Sequence, residues 1–207
     1  MPASGDLGGP DVRAVLADRL RRFVRTTVEP DGRRPAAVAI ALVGTGDELG
    51  IWLTRRAARM RAHAGQFALP GGRLDDGEDA VAAALRELRE ELGVTVPHQD
   101  VLGVLDDYPT RSGYVITPVV VWAGAERPLV PNPAEVAVVH RIPLREVDVP
   151  PRFVRIPESD RPVIQLPLLD TLLHAPTAAV LYQFREVVLH DRHTRVAGLE
   201  QPVFAWR

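Results

Sequence analysis

The sequence predicts an α/β fold, an α/β/α sandwich in which a mixed β-sheet lies between helices. Two observations support this prediction: apolar runs of strand length alternate with segments of helical periodicity, and their order is strands, helix, strands, helix. The 207 residues, 46% of them hydrophobic, are enough for one substantial core. We expect an N-terminal segment over residues 1–30 that packs on a single domain over residues 31–207.

The first half of the chain combines a helix with a hairpin. Apolar residues from Val12 to Val24 recur at helical spacing, and arginines fill the opposite face. This pattern predicts an amphipathic helix that ends before the turn at residues 30–32. The apolar runs 36–43 and 50–54 are separated by the Gly-rich stretch 44–47. That arrangement is typical of a β-hairpin.

The second half begins with a long helix after Asp76-Gly77. Its apolar face is predicted to consist of Val81, Leu85, Leu88 and Leu92. Gly93 suits the left-handed position that ends a helix. Downstream, the sequence predicts three strands (101–105, 115–122 and 135–141), a loop (128–133), a second helix (177–189) and an irregular end (201–207).

The charge and composition of the chain narrow the classes of function. The formal net charge is -2, so no overall positive field attracts nucleic acid or an anionic membrane. The chain has no cysteine, which excludes disulfides and thiolate metal sites. No apolar stretch approaches the roughly 18 residues that span a bilayer, and residues 1–10 lack the pattern of a signal peptide. We therefore expect a cytoplasmic protein that binds neither membrane nor nucleic acid.

The segment 72–94, GRLDDGEDAVAAALRELREELGV, carries the strongest chemical signal. On a helix, Glu87, Glu90 and Glu91 project along one arc of roughly 100°. Glu87 and Glu91 form a like-charge pair that destabilises an isolated helix. One interpretation is a solvated face with salt pairs such as Arg86 with Glu90. Bound cations explain the convergence better, and ligation by oxygen alone favours Mg²⁺ or Mn²⁺.

This segment resembles the Nudix box, in which a glycine, a glutamate and an Arg-Glu-aliphatic-any-Glu-Glu-any-Gly-aliphatic run stand at fixed spacing. The matching residues are Gly72, Glu78, Arg86, Glu87, Leu88, Glu90, Glu91, Gly93 and Val94. The resemblance implies a Nudix hydrolase that cuts a phosphoanhydride bond in a nucleoside diphosphate derivative. It also implies Mg²⁺ or Mn²⁺ held by Glu87, Glu90 and Glu91, with the Gly71 carbonyl as a further ligand.

The other residues of the box have expected structural roles. Gly71 and Gly72 are expected to form a loop in front of the helix, and Gly93 to end it. Glu78 lies where a negative charge suits the start of a helix, and Arg86 is expected to orient the glutamates. Purely structural roles for Glu78 and Arg86, at a helix end and in an ion pair, remain alternatives.

The general base is open at the level of the sequence. Glu90 or Glu91 could activate water directly, or Glu135 could do so from a loop, as a loop glutamate does in some relatives. The choice depends on geometry, because a base must lie within hydrogen-bond reach of the proton it accepts.

The flanks of the box resemble the coenzyme A pyrophosphatase branch of the Nudix hydrolases. The residues in register are Leu53, Thr54, Arg56, Ala57, Arg61, Gly65, Pro70, Gly71 and Gly72, and the stretches 105–114 and 132–136 are also similar. The resemblance implies a small nucleotide-derived substrate, coenzyme A or an acyl-coenzyme A. Since the chain has no lysine, phosphate contacts must come from arginine. The expected substrate-binding residues are Arg55, Arg56, Arg61, Gly71 and Gly72, with Arg59 in the same cluster.

Other functions remain open alongside coenzyme A hydrolysis. The same chemistry could act on ADP-ribose, a dinucleotide or an oxidised nucleoside triphosphate. A silent nucleotide-binding module would be expected to lose box glutamates, and all of them are present here. An mRNA-decapping role is disfavoured because no basic RNA-binding extension is present. A homodimer is a further option, with the N-terminal helix or the tail at residues 202–207 as the interface.

Overall fold

A mixed eight-stranded sheet forms the centre of the computed structural model, which describes residues 11–45, 48–57 and 65–206. Its strands are β1 (Arg34–Val43), β2 (Gly50–Arg56), β3 (Phe67–Ala68), β4 (Gly71–Arg73), β5 (Val101–Val104), β6 (Tyr108–Pro109), β7 (Tyr114–Gly124) and β8 (Val136–Pro143). The main path runs β3-β2-β1-β7-β5, with β4 on β1, β6 on β7 and β8 on β2. β1 and β7 are parallel and the other pairs are antiparallel, so the predicted mixed sheet is confirmed.

Helices cover both faces of this sheet. The helices are α1 (Val12–Arg22), α2 (Ala80–Leu92), α3 (Leu144–Val147) and α4 (Thr177–Phe184), and a π-helical turn (Arg185–Leu189) extends α4. Two short 3-10 turns occupy His98–Asp100 and Val203–Ala205. α2 packs on one face, and α1 and α4 pack on the other, which is the sandwich predicted from the order of the elements.

The two faces of β1 belong to two separate hydrophobic clusters. Ala37, Ala39 and Ala41 face α2, whereas Ile40 and Leu42 face the cluster that includes α1 and α4. This alternation follows from the period of two along a strand. Because both faces of β1 are buried, its sequence is a continuous apolar run, and this run is the pattern that predicted the strand.

A second sheet of three strands lies beyond the predicted elements. It is built from β9 (Arg152–Ile156), β10 (Ser159–Leu168) and β11 (Thr171–His174), all antiparallel in the order β11-β10-β9. Ile164 and Leu166 of β10 are fully buried in the cluster that also contains α4. The sequence did not predict this sheet, whose strands β10 and β11 pack against α4.

One detail of the predicted helices was wrong. α1 ends at Arg22, and Val24, expected on its apolar face, is 73% exposed. On α2, the predicted apolar face packs on the core, with Leu88 and Leu92 fully buried and Val81 and Leu85 partly buried against the same cluster. Within the described residues, no helix is both long and apolar enough to cross a membrane.

Candidate active site

The ends of α2 are fixed by local contacts, so the helix presents its glutamates in a defined register. Asp79 precedes the helix, and its Oδ1 accepts a hydrogen bond of 2.8 Å from the Ala82 N–H. Gly93 ends the helix in the left-handed conformation, at φ 72°. Glu87 and Glu91, one turn apart between these ends, lie on the same side of the helix.

Arg86 holds three carboxylates together at the edge of the site. Its guanidinium donates to both oxygens of Glu78, at 3.0 and 2.9 Å, to Glu87 at 2.8 Å and to Glu90 at 3.1 Å. It also donates to the Arg73 carbonyl at 2.9 Å. The bond to Glu78 is the main cause that raises the pKa of Arg86 and lowers that of Glu78. This geometry is what an orienting role for Arg86 requires.

Gly71 and Gly72 lie in strand β4, not in the loop that the sequence predicted. They pair with β1, which buries the backbone polar groups that a loop would leave open. A Cβ on Gly71 would lie 2.3 Å from the Ala37 carbonyl oxygen, and one on Gly72 would lie 2.2 Å from Glu87 Oε1. Glycine is therefore required here by close approach of backbone and carboxylate.

Glu135 reaches the site from the loop in front of β8. The Asn132 N–H donates to the Glu91 carbonyl at 2.9 Å, which ties this loop to the end of α2. The Glu135 carbonyl accepts from the Ala57 N–H at 2.8 Å. As a result, carboxylate oxygens of Glu87, Glu91 and Glu135 all lie within 4.8 Å of one another.

The convergence of these carboxylates changes their acidity. Burial raises the pKa of Glu91 to about 8, and the charges of Glu87 and Glu135 add to the effect, while Arg56 and the Gly71 N–H oppose it. Burial also raises the pKa of Glu87. Only 4% of Glu91 is exposed, so solvent does little to screen the repulsion.

The donor set suits a hard divalent cation. All three converging groups are carboxylates, and oxygen-only ligation is typical of Mg²⁺ and Mn²⁺. A cation would relieve the repulsion among Glu87, Glu91 and Glu135, for which Arg56 compensates only in part. Glu90, expected as a ligand, lines the same cavity, but its carboxylate is half exposed and bonded to Arg86. Of the described carboxylates, Glu87, Glu91 and Glu135 form the closest group.

The carboxylates line a cavity of about 490 Å³. Its other walls are largely apolar and come from β1, β3, β7 and α4, with Val38, Phe67, Ile116 and Val180 among them. A cavity of this size and mixed lining is typical of a small-molecule site. Thr177, at the start of α4, connects the walls by donating to the Phe67 carbonyl at 3.3 Å.

The cations of the cavity differ in part from those expected. Arg56 lines it, and its buried Nε atom has no hydrogen-bond partner among the described residues. Arg55 is exposed outside the lining, where its Nε lies 3.4 Å from the Gly65 carbonyl. Arg59 and Arg61 lie outside the described residues. Arg73 lines the cavity but was missed, because the face to which it belongs follows only once Gly71–Arg73 is known to be a strand.

The sandwich fold and this carboxylate-lined cavity together are the arrangement that the box motif predicts for a metal-dependent hydrolase. The family model of the NUDIX domain matches residues 32–166, and the chain belongs to the NUDIX family. The resemblance drawn from the box motif is thereby confirmed.

Relatives agree with this assignment, and a solved structure has a similar fold. NudL from Cronobacter sakazakii, described as an uncharacterized Nudix hydrolase, is 43% identical over 115 residues, which cover 55% of this chain but only 59% of that protein. NudL from Photorhabdus laumondii, with the same description, is 40% identical over 139 residues, 63% of this chain and 73% of that one. RenU, a Nudix hydrolase from M. smegmatis, has a similar fold with a TM-score of 0.52 and 22% identity over 75% of this chain and 86% of that one.

Proposed function

We propose that the enzyme hydrolyses the diphosphate of coenzyme A or an acyl-coenzyme A with Mg²⁺ or Mn²⁺. One water is added across the P–O–P bridge, so that 3′,5′-ADP and 4′-phosphopantetheine, or its acyl form, each keep one phosphate of the former diphosphate, and 3′,5′-ADP also keeps its 3′-phosphate. The observation that carries the proposal is the buried, unpartnered Nε of Arg56 in the same cavity as the converging carboxylates. Five buried side-chain nitrogens lack a hydrogen-bond partner among the described residues, and the Arg56 Nε is the one whose residue lines this cavity, where a ligand oxygen would accept from it.

The residues of the site have two proposed roles: some would bind the metal, and others orient the metal-binding carboxylates. Glu87, Glu91 and Glu135 would hold the metal, together with the Gly71 carbonyl and Glu90 that family resemblance adds. A bound divalent ion supplies charge neutralisation and lowers the pKa of coordinated water. The Gly71 N–H orients the Glu91 carboxylate, and Arg86 fixes Glu87 by a hydrogen bond of 2.8 Å.

Coenzyme A is favoured by the distribution of charge and apolar surface. Its diphosphate needs cationic donors, and Arg56 is available beside the carboxylates. Its 3′-phosphate needs a second cation, and Arg73 lines the cavity with no hydrogen-bond or ion-pair partner for its guanidinium in the described part of the chain. The similarity to NudL proteins is consistent with the coenzyme A branch.

A substrate panel tests the proposal. Purified enzyme is incubated with Mg²⁺ or Mn²⁺ and coenzyme A, acetyl-coenzyme A, ADP-ribose, NADH or 8-oxo-dGTP, and products are identified by mass. We expect 4′-phosphopantetheine from coenzyme A with wild type and a loss of at least a hundredfold in the rate with Glu91→Gln. Turnover of ADP-ribose or a nucleotide alone would retain the pyrophosphatase and reject coenzyme A.

Removing the 3′-phosphate tests the role of Arg73. We expect wild type to prefer coenzyme A over dephospho-coenzyme A by about tenfold in kcat/KM, because one charge-assisted hydrogen bond is lost. In Arg73→Gln this preference should shrink to near unity, with activity on dephospho-coenzyme A unchanged. Arg155→Gln, exposed on β9 and outside the cavity lining, is the matched control. A preference that survives in Arg73→Gln would contradict the assignment.

Glu90→Gln and Glu135→Gln separate a general base from a metal ligand. Loss of a base lowers kcat and leaves the metal concentration for half-maximal activity unchanged. Loss of a ligand raises that metal concentration. We expect Glu135→Gln to raise it by about tenfold or more, since its carboxylate belongs to the converging group. An unchanged metal requirement with a lower kcat would instead make Glu135 the base.

A further inference from the structure

A stretch near the C-terminus, Leu199–Gln201, holds the segment that follows β6. The Arg111 guanidinium donates to Glu200 Oε2 at 2.7 and 3.1 Å, through its terminal and its Nε nitrogens. The Arg111 backbone N–H donates to Gln201 Oε1 at 2.6 Å. The Tyr108 hydroxyl donates to the Leu199 carbonyl at 2.9 Å. The stretch Leu199–Gln201 therefore holds both the side chain and the backbone of Arg111.

Glu200 is the centre of this contact and is itself firmly held. It is 3% exposed, its Oε2 accepts from the Ser159 hydroxyl at 2.9 Å, and its Oε1 accepts from the Gln201 N–H at 2.9 Å. Its backbone N–H donates to the carbonyl of Pro162 in β10 at 2.8 Å. A buried carboxylate with this many donors occupies one position, and it transmits that position to Arg111.

The segment held in this way carries polar groups of the cavity. Thr110, Ser112 and Tyr114 line the cavity, whereas Arg111 turns away from it toward Glu200. Within the loop, Thr110 Oγ1 accepts from the Tyr114 N–H at 2.8 Å and from the Ser112 hydroxyl at 3.3 Å. These cavity-lining residues therefore lie on a segment that is held by residues outside the matched NUDIX region.

We propose that Glu200 is a positioning residue for substrate binding: through Arg111 it sets the place of the Thr110–Tyr114 loop against the substrate. This inference rests on the proposed function only in taking the cavity as the substrate site. The cavity-lining residues of this segment do not belong to the converging carboxylates, so we expect them to contact the substrate equally in the ground state and in the transition state. Such uniform binding changes KM and leaves kcat nearly unchanged.

Glu200→Gln and Arg111→Gln test the inference, with Glu186→Gln as the matched control. Glu186 is also a buried glutamate, 5% exposed, held by Arg192 and the Thr194 hydroxyl, but it does not line the cavity. We expect both test variants to raise KM about five- to tenfold with kcat within twofold, the scale of one lost hydrogen bond. Glu186→Gln should lower Tm and leave KM at the wild-type value.

Further comparisons keep a folding defect apart from the positioning role. Arg111 is largely exposed, so Arg111→Gln should fold even if Glu200→Gln does not, and Arg111→Lys should recover part of the lost affinity. An unchanged KM in Arg111→Gln, or an equal rise in Glu186→Gln, would overturn the inference. The measurement uses whichever diphosphate substrate wild type turns over. Absence of turnover by wild type would therefore count against the proposed function, whereas equal KM values count against the positioning role.

Discussion

Replacing Glu91 with glutamine should change how the stability of the metal-free enzyme responds to pH. The pKa of Glu91 is about 8 in the folded protein, above the ordinary value of 4.5, because the side chain is buried beside other carboxylates. A folded-state pKa above the unfolded one means that the stabilising contribution is complete below pH 4.5. It is lost as pH rises through about 8, since folding then opposes ionisation.

The size of the effect follows from the two pKa values. Between pH 6 and pH 9, ionisation of Glu91 should cost the metal-free protein about 3 kcal/mol of the free energy of unfolding, as an order of magnitude. For a chain of this length, that corresponds to a fall in Tm of about 6 to 12 °C. Glu91→Gln carries no ionisable group at this position, so it should lack this part of the pH dependence.

The assay is thermal unfolding in EDTA and in Mg²⁺ or Mn²⁺, at pH 6 and pH 9, for wild type, Glu91→Gln and Glu186→Gln as a buried control. The divalent ion should stabilise wild type most at pH 9, where it binds the ionised carboxylate, and should stabilise Glu91→Gln little. The reasoning is refuted if Glu91→Gln in EDTA loses as much stability between the two pH values as wild type does.

Two further substitutions test the close contacts around Glu87. In Gly72→Ala, the new Cβ would lie 2.2 Å from Glu87 Oε1, so we expect kcat/KM to fall about a hundredfold. Gly198→Ala, whose Cβ would meet no atom within 4 Å, should keep wild-type activity in the same assay. Arg86→Lys loses the paired contacts to Glu78, and we expect calorimetric titration to give a metal affinity about 10- to 100-fold weaker. Wild-type affinity in that variant would show that the paired contacts do not support the metal site.

The parts of the site that lie on α2 could be predicted because they depend on local sequence. The periodicity, the Asp79 cap and the Gly93 stop all lie within or beside the helix, so their spacing alone places Glu87 and Glu91 on one face. The place of Glu135 could only be suggested by resemblance. It depends on the hydrogen bond between Asn132 and Glu91, about 40 positions apart in the chain.

Other features depend on partners that no local pattern identifies. The pair Gly71-Gly72 resembles a loop until β1 is known to pair with it, because glycine has low strand propensity. β10 contains Pro162 and Pro167, which argue against a strand in a single sequence. Glu200 and Arg111 are 89 residues apart and gave no signal as a pair.

The alanines between α2 and β1 set the height of the helix above the sheet. Ala83 and Ala84 are fully buried in the same cluster as Ala37 and Ala39, and small side chains at such a contact let a helix approach the strands closely. Glu87 and Glu91 of the converging carboxylates lie on this helix, and Glu135 lies in the loop in front of β8. The size of the side chains at this contact therefore helps to set the distance between the two carboxylates on the helix and the carboxylate of Glu135. A single added methylene at this contact would move the helix away from the sheet. It would weaken metal binding although it touches none of the proposed ligands.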